Sequence, residues 1–359
     1  VGISKMAEEL YEASNAFLGH FRGGLAIATT VACGAFAAIC GSSMATAASM
    51  AKISVPAMRR HGYSDRLATA SVAAGGTLGI MIPPSTVMIV YGILTGTNIG
   101  QLFVAGILPG ILGIGGYIAA IAWTTARDPA AGPPGPRTPW PQRWRRLRKV
   151  GAILALLLLI IGGIYLGIFT TIEAASIGAG GAFLIALARG TLSFESLLRT
   201  LVDTARVTSM MFFLLIGALI FANYLEVSGF AKGMAAAVGG SGLPREAVLG
   251  LILVAYLILG CFLESLSMTL LTIPVFFPIM MGLGYDPVWF GVVIVMVVEI
   301  ALITPPVGLN VFVIRSLLPD VAASTIFRGL APFIAFDAVR LLLIAFVPAL
   351  SLVLPRLMQ

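Results

Sequence analysis

The sequence predicts an all-α polytopic membrane protein built from two inverted repeats. Each repeat pairs a re-entrant helical hairpin with a proline-broken transmembrane helix. Three observations predict this. Hydrophobic residues make up 59% of the 359 positions and charged residues only 10%, against about 25% charged in soluble domains, and mean hydropathy is +1.03. Apolar runs near the ~20 residues that cross a bilayer recur along the whole chain, without the alternation a transmembrane barrel needs. Two of those runs break at a double proline, Pro83-Pro84 and Pro305-Pro306. Their offset of 222 residues (305 − 83) also carries Pro56 onto Pro278, Gly62-Tyr63 onto Gly284-Tyr285 and Ser43 onto Ser265.

Taken in order, residues 1–23 (VGISKMAEELYEASNAFLGHFRG) suit an amphipathic arm helix at the membrane surface. The chain opens in mid-pattern, so an N-terminal part is expected to precede it. The first repeat, 24–125, reads as a hairpin at about 24–55, a broken helix at about 67–94 and a span at 103–125. Residues 126–149 read as a linker, because DPAAGPPGPRTPWPQ is rich in proline and glycine. Arg127, Arg137, Arg143, Arg145, Arg146, Arg148 and Lys149 there face only Asp128, which makes the linker cytoplasmic by the positive-inside rule. The second half, 150–359, holds spans at 150–168, 171–188 and 207–224, a hairpin at about 247–281, a broken helix at 287–314 and a last span at 330–354.

With the linker inside, Arg59, Arg60, Arg66, Arg189, Arg199, Arg206, Arg315 and Arg328 also fall inside, and the turns at 95–101, 168–171 and 226–246 fall outside. The first hairpin then enters from the cytoplasm, the second enters from the opposite face, and the two broken helices run antiparallel. The same loops account for the net charge of +7, so the excess sets orientation and gives no reason to expect nucleic-acid binding.

A proline in a helix interior costs roughly 3 kcal/mol. Non-helical backbone at membrane depth is tolerated only where protein buries it or water reaches it. A double proline leaves carbonyls free for a cation, and the helix that restarts beyond it points N–H groups and a positive dipole end at an anion. Ser85 and Thr86 can cap that restart. A plain kink is the bland reading. Two breaks in inverted copies, each beside a hairpin, favour a midplane transport site.

The first hairpin turns at CGSSMATAAS (40–49), where Gly41 permits unusual dihedrals and Ser42, Ser43 and Thr46 supply hydroxyls. Close helix packing explains such small residues equally well. The second hairpin turns at FLESLSMTLLTIP (262–274), with Glu264, Ser265, Ser267 and Thr269, and Glu264 falls at the position equivalent to Ser42. Two half-sites are expected: Gly41, Ser42 and Ser43 opposite Pro83, Pro84 and Ser85, and Glu264 with Ser265 opposite Thr304 and Pro305. A carboxylate at the bilayer centre costs ~2.5–3.5 kcal/mol, so Glu264 and Glu299 each need a reason. Glu264 reads as a tip or ion residue and Glu299 as a structural one. Thr170 and Glu173 are spaced as a capping box, and Asp337 and Arg340, at i and i+3, should pair.

Cys33, Cys40 and Cys261 read as small packing residues. His20 and His61 lack metal-ligand partners, and neither HExxH nor GxxxxGK[ST] occurs. Tyr285-Asp286 has the YD of intramembrane aspartyl proteases without a GxGD counterpart. An enzyme is therefore not expected.

The motifs GHFRGGLA (19–26), CGSSMATAA (40–48), HGYSDRLATASVAAGGTLGIMIPPSTVMIVYGILTGTNIGQLFVAGILPG (61–110), FLESLSMTLLTIPVFFPIMMGLGYDPVWFGV (262–292) and ALITPPVGLNVFVI (301–314) resemble one family. It is the large membrane subunit of tripartite ATP-independent periplasmic (TRAP) transporters, and the resemblance covers essentially the whole chain. It implies an elevator-type, sodium-coupled importer of organic acids in the bacterial inner membrane, with Na+ as coupling ion and no other cofactor. The implied partners are a small four-helix membrane subunit, a periplasmic solute-binding protein and a substrate such as a C4-dicarboxylate, a keto acid or sialic acid. By position it points to Gly41, Ser42, Ser43 and Pro83 in one half, and to Glu264, Thr304, Pro305 and Gly308 in the other. The family's TPTEAA run stands in this chain as Thr170-Thr171-Ile172-Glu173-Ala174-Ala175 and receives no role. The family's first helices are expected ahead of Val1. The rival readings are a stand-alone sodium/dicarboxylate carrier of the same plan, a membrane enzyme and a non-transporting structural subunit.

Overall fold

The computed structural model describes residues 2–230, 233–234 and 242–358, and the regular structure among them is helical throughout. The first half contains α1 (Gly2–Leu18), α2 (Gly24–Cys40), α3 (Ser43–Arg60), α4 (Asp65–Met81), α5 (Thr86–Thr95) and α6 (Ile99–Arg127). Three lateral helices follow: α7 (Trp140–Tyr165), α8 (Thr171–Ala188) and α9 (Phe194–Val227). The second half adds α10 (Arg245–Gly260), α11 (Ser265–Gly282), α12 (Pro287–Ala301), α13 (Leu309–Leu317), α14 (Ala323–Phe346) and α15 (Ala349–Arg356). Seven segments among the described residues are long and apolar enough to cross a membrane, counting α4–α5 as one.

Polar side chains start these helices where the sequence places them. Ser64 accepts from Leu67 N at 3.3 Å, Asn98 from Gln101 N at 3.1 Å and Asp286 from Val288 N at 2.8 Å. The capping box at α8 is present in both directions, with Thr170 N donating to Glu173 at 2.7 Å and Glu173 N donating to Thr170 Oγ1 at 3.3 Å.

Several boundaries differ from the apolar-run reading. Helix α7 starts at Trp140, so the arginine-rich part of the expected linker is helical, and only a short turn at Pro129–Ala131 precedes it. Apolar runs end with the hydrocarbon, whereas a helix continues into the headgroup layer, where Arg and Trp are well solvated. There the Arg143 guanidinium lies 4.9 Å from the centre of the Trp140 ring. Helix α9 likewise extends the expected 207–224 span to 34 residues, roughly 51 Å at 1.5 Å per residue. The last span ends at Phe346, ahead of Pro348, and α15 is a separate short helix. The arm helix α1 buries Ala7, Leu10, Tyr11, Ala13 and Ala16 against the protein. The outside turn at 226–246, with Lys232, falls partly outside the described residues.

Contacts between the two broken helices establish their relative direction. Asn310 donates to Ala73 O at 3.2 Å, Thr77 Oγ1 lies 3.0 Å from Glu299 Oε1, and Tyr91 donates to Pro287 O at 2.6 Å. As one residue number rises the other falls, so α4–α5 and α12–α13 run antiparallel. Thr77 and Glu299 are also the pair related by the 222-residue offset. Equivalent residues of an inverted repeat can touch only on the axis that relates the copies. Helix α12 fills the centre, with every residue from Val288 to Ala301 buried.

Groups assigned to the cytoplasmic face meet at one end. Arg59 reaches Asp65 and Asp320, each at 2.6 Å, and Arg66 donates to Arg328 O at 3.1 Å. Laterally, α8 and α9 leave large apolar side chains uncovered, among them Leu184, Phe212, Phe213 and Ile220.

Candidate functional site

At the first break, the extended Ile82 precedes Pro83-Pro84, as the residue before a proline is forced to be. One hydroxyl then serves both sides of the gap. Ser85 Oγ donates to Ile80 O at 2.5 Å, a carbonyl freed by the prolines, and accepts from Met88 N at 3.3 Å to start α5. Thr86, the other candidate cap, instead donates across to Gly41 O at 3.0 Å. That bond ties the break to the hairpin tip. Gly41 ends α2 with φ 61°, a left-handed geometry that any Cβ would strain, and Pro84 O would lie 3.2 Å from such a Cβ. Ser42 caps α3 by accepting from Ala45 N at 3.5 Å, and Ser43 beside it is buried. Gly79, on the last turn of α4, faces the Ser42 and Ser43 backbone. The structure therefore brings together Gly41, Ser42, Ser43, Pro83, Pro84 and Ser85.

The second break is built differently. Pro305 and Pro306 are exposed and Thr304 is half-buried, whereas Pro83 and Ser85 are buried. Thr304 Oγ1 donates back to Ile300 O at 2.7 Å, and Asn310 N reaches across the gap to Leu302 O at 3.1 Å. Helix α13 restarts at Gly308 (φ 61°) without a side-chain cap. Both Pro-Pro bonds are cis.

Glu264, expected opposite Thr304 and Pro305, is engaged at the start of its own helix. Its carboxylate accepts from Leu266 N at 2.9 Å, Ser267 N at 3.3 Å and Ser265 Oγ at 2.7 Å, capping α11. The physical reason is competition: a helix start offers unpaired amides beside it, and a carboxylate satisfies them strongly. From the same hairpin Cys261 reaches the break, its Sγ 3.4 Å from Pro305 O. Asn310 also went unforeseen, and its Oδ1 is buried without a hydrogen-bond partner.

Behind both breaks lies a buried polar ring. Glu299 is 0% exposed and Arg340 1%. Arg340 Nη2 donates to Glu299 Oε2 at 2.6 Å and lies 2.9 Å from Asp337 Oδ1, so the expected Asp337–Arg340 pair forms and extends to Glu299. The Tyr117 hydroxyl lies 2.6 Å from Asp337 Oδ2 and 2.9 Å from Thr77 Oγ1, and Thr77 Oγ1 lies 3.0 Å from Glu299 Oε1. Glu299 is thus held directly by Thr77 of α4 and Arg340 of α14, and Tyr117 joins α6 to the same ring. The repeat offset, applied to Glu299, leads to Thr77; nothing in the sequence marks Tyr117.

A cavity of about 680 Å³ opens beside the first break, between Ile39, Pro84, Ile89, Ile160 and Ile185. Its aliphatic walls suit hydrocarbon and offer almost nothing to a charged ligand.

Fold and breaks together define a multi-pass membrane transport protein. The family model described as "Tripartite ATP-independent periplasmic transporter, DctM component" matches residues 2–350. The chain belongs to that family and is a large permease subunit of the inner membrane. It is 38% identical to the C4-dicarboxylate TRAP transporter large permease protein DctM of Pseudomonas aeruginosa, over 98% of this chain and 82% of that protein. It is 34% identical to the ectoine/5-hydroxyectoine TRAP transporter large permease protein UehC of Ruegeria pomeroyi, over 89% of this chain and 74% of that protein. The solved structure of the Alcanivorax borkumensis YdaH transporter shares the fold, with a TM-score of 0.59 and 16% identity over 96% of this chain and 84% of that one.

Proposed function

We propose that this permease couples sodium entry to the import of an organic acid, a C4-dicarboxylate, keto acid or sialic-acid-like anion. The observation that carries the reading is the antiparallel pair of breaks, the first tied to its hairpin tip through Thr86 and Gly41, the second reached from its hairpin by Cys261. Carbonyls and hydroxyls at Ser42, Ser43, Pro83, Ser85, Thr304 and Pro305 are hard oxygen ligands of the kind that replace an ion's hydration shell. The start of α13, which has no side-chain cap, turns the positive end of its dipole toward a substrate carboxylate.

In this reading the hairpins and broken helices move as an elevator against the lateral helices. A small four-helix membrane subunit covers apolar surface on α8 and α9, and a periplasmic solute-binding protein delivers the substrate. The relatives are named for a C4-dicarboxylate and for ectoine, so a C4-dicarboxylate is the first substrate to test.

Uptake into proteoliposomes by the complete complex should require a sodium gradient and persist without ATP. Unchanged uptake with potassium in place of sodium would reject the coupling. Full uptake without the binding protein would favour a stand-alone carrier.

A further inference from the structure

We propose that the ring of Glu299, Arg340, Asp337, Tyr117 and Thr77 holds one proton beyond its hydroxyl hydrogens, shared between the two carboxyls. Two independent observations carry this. The first is a count of hydrogens. Three close oxygen–oxygen contacts link the carboxyls through the hydroxyls: Glu299–Thr77 at 3.0 Å, Thr77–Tyr117 at 2.9 Å and Tyr117–Asp337 at 2.6 Å. A threonine and a tyrosine bring one hydroxyl hydrogen each, and an ionised carboxylate only accepts. Two hydrogens cannot fill three contacts, and Ala74 O, 2.7 Å from Thr77 Oγ1, competes for one of them. A single added proton completes the line. It sits on Asp337 Oδ2, with Asp337 donating to Tyr117, Tyr117 to Thr77 and Thr77 to Glu299. Equally it sits on Glu299 Oε1, with every donation reversed.

The second observation is charge. With both carboxyls ionised, one guanidinium faces two carboxylates, leaving one uncompensated negative charge in a site 0–1% exposed. An isolated buried charge is costly enough that such groups neutralise. The charged and titratable groups facing Asp337 are Arg340 on its own helix, Glu299 from α12 and Tyr117 from α6, while α4 supplies only the Thr77 hydroxyl. The one cation is already engaged by both acids. Arg340 Nη1 turns to Pro109 O at 3.4 Å, and Arg340 Nε is buried without a hydrogen-bond partner. The added proton brings the ring to neutrality, and the O–H bond it forms requires no other reactant.

Infrared spectra of the purified transporter near neutral pH, in H2O and in D2O, test this directly. A carbonyl stretch of a protonated carboxyl should appear, shift on deuteration, and be lost in both Asp337→Asn and Glu299→Gln. Each substitution removes the excess charge and with it the need for the proton. Tyr117→Phe should shift the same band by removing a hydrogen-bond partner, a readout that remains if the other two variants fail to fold. Absence of the band from the unaltered protein would overturn the proposal. So would its persistence in both neutralised variants, or its loss only in Glu264→Gln.

Discussion

The two helix–break–helix units occupy equivalent places and solve the same problem with different chemistry. In the first, the serine after Pro83-Pro84 satisfies both sides of the gap, Pro83 is buried and Pro84 half-buried, and Thr86 fastens the hairpin tip. In the second, the restart lacks a side-chain cap, Pro305 and Pro306 are exposed, and the hairpin reaches the break through Cys261. Close approach is handled oppositely as well. In the first unit the small residue lies on the broken helix: a Cβ on Gly79 would come within 2.7 Å of Ser42 O. In the second it lies on the hairpin: a Cβ on Gly260 would meet that of Ala301, the repeat mate of Gly79, at 2.5 Å. What the two share is the ring between them. Duplication thus preserved the geometry of the break and left its local chemistry free to diverge.

The largest effect should come from the shared element. Arg340→Ala leaves two carboxyls in the core without their cation, and breaking a buried pair costs roughly 3–5 kcal/mol. Thermal unfolding of the purified protein should show a loss of that order, with both broken helices losing amide-exchange protection together. Loss confined to α12–α13 would mean the ring serves one unit alone.

Next come the glycines. Gly79→Ala and Gly260→Ala should each cost ~1–3 kcal/mol from overpacking. Their repair distinguishes the units. Ala301→Gly should restore Gly260→Ala, whose nearest clash is with a side-chain carbon, while Gly79→Ala meets backbone that no substitution can trim. Failure of that rescue would remove the contrast.

The smallest stability effect is that of Thr86→Val, which deletes the hydroxyl bond to Gly41 O, worth about 1 kcal/mol. Amide exchange across residues 41–46 should quicken roughly fivefold, with the second hairpin unaffected. Equal loosening of both hairpins would show that the fastening is not local to the first.

Much of this architecture was legible in the sequence because it rests on scarce signals. Double prolines at membrane depth and a repeated Gly-Tyr need no alignment to be seen, and Thr170/Glu173 and Asp337/Arg340 are local spacings. Less was legible where competition between groups decides. Glu264 is marked as a tip residue by its charge, yet the amides of its own helix claim it. Neither the reach of Arg340 to Glu299, 41 residues away, nor the place of Tyr117 follows from any periodicity, because both depend on how α6, α12 and α14 cross. The arginines of α7 looked like linker because hydropathy reports the bilayer and says little about where a helix ends.

The central claim is that both breaks, despite their different chemistry, are sodium sites. Its most direct test is the sodium dependence of uptake in Ser43→Ala and Thr304→Val, each reconstituted with the complete complex. Losing one hydroxyl ligand should cost ~1–2 kcal/mol, hence raise the sodium concentration for half-maximal uptake roughly five- to thirtyfold. Valine keeps the shape of Thr304 while removing its oxygen, so packing alone predicts no shift. Both variants should shift, with protein levels unchanged. An unaltered sodium dependence in both would contradict the account and leave the hairpin tips and breaks as packing elements.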